Sequence, residues 1–174
     1  MVDGSIKILI VEDEHIVALD LKRRLTKLGD QVTGMAANGD KALALINQEL
    51  PNIVLMDIHI QGSIHGIEVA AKLQKNYNIP VIYLTAYSEE KTLTRAKSTK
   101  PYGYLLKPFS DRELHIIIQV SMARHESDIL LKKNEQHFRL ALEAARLGTW
   151  EVTKDSREIF ISKDPEGNLE PLSD

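Results

Sequence analysis

The sequence predicts an α/β protein with a doubly wound parallel sheet, helices on both faces and an extended C-terminal helix. Two observations lead there. Five short apolar, β-branched runs recur along the chain, and segments with helical spacing separate them. Strands alternating with helices imply βαβ units with right-handed crossovers.

The runs are Ile6–Val11, Gln31–Ala36, Ile53–Met56, Val81–Leu84 and Tyr102–Leu106. Three are almost continuously apolar, which suits strands buried on both faces of a parallel sheet. In the first intervening segment Val17, Leu21, Leu25 and Leu28 share one helical face, and Gly29 follows as a stop. The second helix begins at Asn38, a good N-cap, carries Ala42, Leu45 and Ile46 inward, and ends before Pro51. The third starts near Ile67 and the fourth near Ser88, the latter anchored only by Leu93 and Ala96. The fifth starts at Ser110, where Ser110-Asp111-Arg112-Glu113 has the pattern of a capping box.

The fifth helical pattern does not stop where a compact domain would need it to, because no Pro or Gly occurs between Phe109 and Gly148. The charged stretch from Ser121 to Asn134, with Ile129, Leu130 and Leu131, extends it into a linker. That linker is either a solvated surface helix or a parallel coiled-coil seam between two protomers, and its apolar positions hold no strict heptad.

Composition bounds the function. The 174 residues allow one full domain and part of a second. A 43% apolar and 27% charged chain is ordinary for a soluble globular protein. A net charge of −3 gives no general attraction to nucleic acid or an acidic membrane. With no cysteine, disulfides and thiolate metal sites are excluded, which favours a reducing cytoplasm. Apolar runs fall far short of the roughly 20 residues that span a bilayer. The N-terminus carries no export signal, so the expected location is cytoplasmic.

In an open α/β sheet, ligands bind beyond the carboxyl ends of the strands. Glu12 and Asp13 follow the first strand, Asp57 ends the third, Thr85 the fourth, and Lys107-Pro108 the fifth. Taken singly, Asp13 serves equally as a helix cap, Thr85 as a β-branched strand end and Lys107 as a surface cation. Three acids, a hydroxyl and an ammonium at successive strand ends have a definite chemical content. Clustered carboxylates without Cys or ligand-spaced His suit a hard, oxygen-preferring cation, above all Mg²⁺. No side chain of His15, His59 or His65 is assigned to a metal.

Ile10-Val11-Glu12-Asp13, Leu55-Met56-Asp57, Leu84-Thr85-Ala86 and Leu106-Lys107-Pro108-Phe109 together resemble the signature of a two-component response regulator receiver domain, over about residues 5 to 125. The resemblance implies a flavodoxin-like sheet of order 2-1-3-4-5. It implies that Asp57 is the phosphoacceptor, and that Glu12, Asp13, Asp57 and the His59 backbone carbonyl hold Mg²⁺, Glu12 through water. Thr85 and Lys107 would contact the phosphoryl oxygens, Thr85 and Tyr104 would form the switch, and the bond before Pro108 would be cis. The partner would be a histidine kinase or phosphotransfer protein. A homodimer could use the fourth and fifth helices or the linker helix, with no direct nucleic-acid or membrane contact. The loop 58–66 departs from the pattern, since it lacks the Pro that many receivers carry there and puts His59 beside the site.

The segment Phe138–Val152, an Ala/Leu helix ending at Gly148 before the only Trp, resembles the opening of a PAS sensor domain. The chain stops short of the roughly 100 residues of a full domain. The expected organisation is therefore receiver 5–125, helical linker 126–137 and a truncated PAS-like segment 138–174, partly disordered after Ser162. A hybrid histidine kinase or a diguanylate cyclase fits that order.

Three other readings compete. A phosphorylation-independent dimerisation or interaction module would keep the fold without needing the intact acid set. A phosphatase of the haloacid dehalogenase type would want a second Asp where His59 stands. A nucleotide-binding domain would want a Gly-rich loop after the first strand.

Overall fold

The computed structural model describes residues 5–60, 66–86, 99–145, 149–152, 159–162 and 170–171. The chain divides into two compact units, Met1–His125 and Glu126–Asp174.

In the first unit the elements run β1 Lys7–Val11, α1 His15–Lys27, β2 Gln31–Ala36, α2 Gly39–Gln48, β3 Ile53–Asp57, α3 Gly66–Tyr77, β4 Val81–Ala86 and β5 Gly103–Lys107. The helix α4, Asp111–Ala145, follows and continues past the unit boundary. The position of the helix expected near Ser88, with Leu93 and Ala96, lies outside the described residues. The five strands form one parallel sheet in the order β2-β1-β3-β4-β5.

Side-chain alternation along the central strands divides the core in two. Ile8, Ile10, Ile53, Leu55, Ile82, Leu84 and Leu105 pack with Ala18, Leu21 and Leu25 of α1 and Leu114, Ile118 and Met122 of α4. Leu9, Val11, Val54, Met56, Val81 and Tyr83 pack on the opposite face with α2 and α3 residues such as Ala42, Ile46, Val69 and Leu73. Burial on both faces is why β1, β3 and β4 read as nearly unbroken apolar runs. Each fully buried Ile or Leu stabilises this arrangement by about 1.5–3 kcal/mol. Ala18 fills the centre of the α1 face, while Val17 and Leu28 are only partly buried beside it.

The helix ends obey local chemistry. Leu28 caps α1, and Gly29 follows at φ 92°. The Gly29 N–H donates to Thr26 O and the Asp30 N–H to Leu25 O, a pairing that satisfies the last carbonyls and needs a residue free of Cβ strain. Asn38 Oδ1 accepts from the Lys41 N–H at 2.9 Å. Ser110 Oγ accepts from the Glu113 N–H, and the Glu113 carboxylate accepts from the Ser110 N–H at 2.7 Å, so the capping box is formed. Those hydrogen bonds hold the Glu113 carboxyl below its ordinary range.

Helix α4 is unbroken over 35 residues. Its Leu114, Ile118, Ser121, Met122 and His125 are buried, whereas 129–131 and 138 present Ile, Leu, Leu and Phe to solvent. In the second unit β6 Thr149–Val152, β7 Ile159–Ser162 and β8 Glu170–Pro171 form an antiparallel sheet in that order. Trp150 lies in β6, and β8 falls inside the polar stretch where disorder is expected from the sequence.

Asn38→Ala removes a single N-cap acceptor from a solvated helix end. It is expected to cost about 1 kcal/mol, read as a lower Tm in thermal denaturation, with the parallel-sheet circular dichroism unchanged.

Candidate functional site

The sheet order brings the ends of β1 and β3 side by side, with Val11 paired to Met56. Asp57 is the last residue of β3 and Lys107 the last of β5, and β4 lies between those strands. Carboxylate oxygens of Glu12, Asp13 and Asp57 lie within 4.8 Å of one another. Lys107 reaches across the end of β4, placing Nζ 2.6 Å from Asp57 Oδ2 and 2.7 Å from Glu12 Oε2.

Backbone donors fix the remaining oxygens. The His59 N–H donates to Asp57 Oδ1 at 2.9 Å, and the Glu14 N–H donates to Glu12 Oε1 at 3.3 Å. Asp57 therefore presents its carboxylate in one orientation, clamped between a main-chain amide and an ammonium. Gly66, which opens α3, sits against this turn. A Cβ there would lie 2.6 Å from the Asp57 carbonyl oxygen, so only glycine allows α3 to start so close.

The charges do not balance. Two carboxylate charges within 4.8 Å of each other repel by at least about 3.5 kcal/mol at an effective dielectric constant of about 20. Three ionised carboxylates against one ammonium leave −3 + 1 = −2. Burial is the largest influence on Glu12 and raises its carboxyl above the ordinary 4.5; the Asp57 charge adds to this and Lys107 opposes it. Burial works against the Lys107 ammonium as well. There the hydrogen bonds and charges of Asp57 and Glu12 outweigh it and hold the pKa above 10.5. A residual −2 in an all-carboxylate donor set, with no sulfur or imidazole among the three, fits a hard divalent cation.

Thr85 is buried one residue beyond the strand position that pairs with Asp57, and its hydroxyl donates to the Ala86 carbonyl at 3.2 Å. Tyr104 is half-buried on β5, its ring 5.9 Å from that of Tyr83, and its hydroxyl is buried without a hydrogen-bond partner. The Lys107–Pro108 bond is cis. His59 lies at the site through its backbone. His65 and 61–65 generally, which hold most of the loop that departs from the receiver pattern, lie outside the described residues. Thus Glu12, Asp13, Asp57 and Lys107 converge tightly, while Thr85 lies near the end of β4 and Tyr104 lies on β5. Nothing in the sequence signals that Lys107 bridges Glu12 and Asp57 directly, or that the His59 amide holds Asp57. Both depend on side-chain reach and turn geometry, which strand spacing does not encode.

Burial raises the Glu12 pKa, so ionising it costs the folded state; that cost is absent below the unfolded-chain pKa and grows as pH rises through the folded value. In chelator, the stability of Glu12→Gln relative to the parent is expected to rise as pH increases above the ordinary carboxyl range, measured by urea denaturation at each pH.

Residues 8–119 match the response regulator receiver domain family. The transcriptional regulatory protein PdtaR of Mycobacterium tuberculosis is 29% identical over 95% of this chain and 77% of that protein. The uncharacterized transcriptional regulatory protein YrkP of Bacillus subtilis is 31% identical over 88% of this chain and 63% of its own length. The signal receiver domain of a modulated diguanylate cyclase from Desulfovibrio desulfuricans superposes with TM-score 0.68 and 34% identity, covering 72% of this chain and 99% of that one. The N-terminal domain of a response regulator/sensory box/GGDEF 3-domain protein from Carboxydothermus hydrogenoformans gives TM-score 0.65 and 30% identity, with 71% and 98% covered. The match at 8–119 takes in the doubly wound sheet and the acid–lysine cluster at its carboxyl edge, and the chain belongs to the response regulator receiver domain family.

Proposed function

We propose that the chain is a phosphoacceptor in which Asp57 takes a phosphoryl group from the phosphohistidine of a histidine kinase or phosphotransfer protein. The observation that carries this reading is the Lys107 ammonium 2.6 Å from an Asp57 carboxylate that also lies within 4.8 Å of Glu12 and Asp13. An Asp57 carboxylate oxygen attacks phosphorus, the P–N bond of the donor breaks, and the donor imidazole keeps the bonding pair and is protonated. Asp13, Asp57 and the His59 carbonyl would hold Mg²⁺, with Glu12 acting through water. The bound ion would supply positive charge against the phosphoryl oxygens. Lys107 would pass from the carboxylates to a phosphoryl oxygen and offset it from the other side. The Thr85 hydroxyl would exchange the Ala86 carbonyl for a phosphoryl oxygen.

That movement opens space beside Tyr104, whose hydroxyl is buried with no partner. Inward rotation of Tyr104 would then repack β5 and bias α4, a shift between two arrangements of one core. The organisation that serves this is receiver 5–125, linker 126–137 and a PAS-like segment 138–174. Of a diguanylate cyclase and a hybrid histidine kinase output, the similarity to the receiver domain of a modulated diguanylate cyclase favours the former. Exposed Ile116 and Val120 on α4, and the apolar residues beyond His125, would suit a homodimer seam. No described helix is long and apolar enough to cross a membrane.

With acetyl phosphate and Mg²⁺, intact-mass spectrometry is expected to show one added phosphoryl group. Asp57→Asn or excess chelator should remove it. An unmodified parent protein under those conditions would favour a phosphorylation-independent interaction module instead.

A further inference from the structure

The loop that follows Lys107 is tied to a helix far away in sequence. Arg24, in the last turn of α1, donates from Nη1 to the Phe109 carbonyl at 2.9 Å. Its Nε lies 2.9 Å from Asp20 Oδ2 and 3.3 Å from Asp111 Oδ1. The guanidinium carbon stands 5.5 Å from the centroid of the Phe109 ring. One planar cation thus engages the carbonyl and ring of Phe109 and the first residue of α4 at once, which its rigid fork of donors permits and a lysine ammonium does not.

The backbone between β5 and α4 has few holds of its own. Pro108 has no N–H to donate. The Ser110 N–H is taken by Glu113, a contact within the helix cap. Lys107 itself is the last residue of β5, which among the described residues is an edge strand paired with β4. Its ammonium nonetheless lies within 2.7 Å of the carboxylates of Asp57, at the end of β3, and Glu12, just after β1.

We propose that Arg24 is a positioning residue for Lys107, fixing the backbone two residues downstream so that the ammonium meets Asp57 and Glu12. Arg24 touches no group at the reacting centre; it acts through the Lys107-Pro108-Phe109 segment. This rests on the reading of Asp57 as phosphoacceptor. Loss of the tether lets the loop drift, and a displacement of about 1 Å at a reacting group lowers a rate by up to about 100-fold.

The test is a double-mutant cycle on the full chain, with the rate of phosphoryl uptake from acetyl phosphate as readout. Arg24→Met keeps the apolar stem and removes every donor. It is expected to slow uptake about tenfold while leaving the Mg²⁺ dissociation constant within about twofold of the parent. In a Lys107→Ala background the same change should slow nothing further, because the group it positions is gone. Parent-like uptake by Arg24→Met, or losses that multiply in the double variant, would overturn the proposal while leaving Asp57 as acceptor. An inert parent protein would overturn both. If Arg24→Met does not fold, Arg24→Lys replaces it. That variant keeps charge and stem but not the fork, and it should remain slower than the parent; a full parental rate would count against positioning.

Discussion

The Lys107 ammonium lies between the Asp57 and Glu12 carboxylates, and most of the fold can be understood as what makes that meeting possible. Left to themselves, three carboxylates would move apart or take up protons. They stay together because each is fixed to a strand end by a sheet whose interior is dry on both faces. β1, β3 and β4 carry buried Ile, Leu and Val toward α1 and α4 on one side and α2 and α3 on the other. The apolar core thus holds the charged edge in place, and Lys107 and main-chain amides soften the repulsion without cancelling it.

That residual repulsion gives the site its chemistry. A fully neutralised cluster would have no affinity for a divalent cation, and a fully solvated one would lack the low-dielectric setting in which an added charge matters. Glu12 shows the compromise, since burial opposes its ionisation even with an ammonium 2.7 Å away. Stability is given up at the candidate site, as functional sites commonly do. Tyr104 carries a second local cost in its buried, unpartnered hydroxyl. Tyr104 lies on β5, the strand that ends in Lys107.

The sheet was legible because its strands are two-faced. Ile8 to Val11 and Ile53 to Met56 have almost no other use for so many adjacent apolar side chains. The ends of α1 and α2 were legible for local reasons, through Gly29 and Asn38, and α4 through the pairing of Ser110 with Glu113. Acids and a lysine at strand ends exposed the site, since a parallel sheet gathers those ends on one edge. The tertiary ties were not legible. Arg24 looks like any basic residue in the last turn of a helix, and nothing near it in sequence points to Phe109. The bridging of Glu12 by Lys107 was hidden likewise, because acids after β1 serve equally well as caps. Gly66 reads as loop punctuation until its closeness to the Asp57 carbonyl is known.

If the strand ends form one site, its excess negative charge will take up a divalent cation. A titration of ¹⁵N-labelled protein with Mg²⁺, followed by amide chemical shifts, addresses it directly. Saturable shifts are expected at Asp13, Asp57, His59 and Lys107, with the amides of α2 and the outer turns of α4 nearly still. Amides at these strand ends that stay unmoved at saturating Mg²⁺, or shifts centred on another part of the chain, would contradict it.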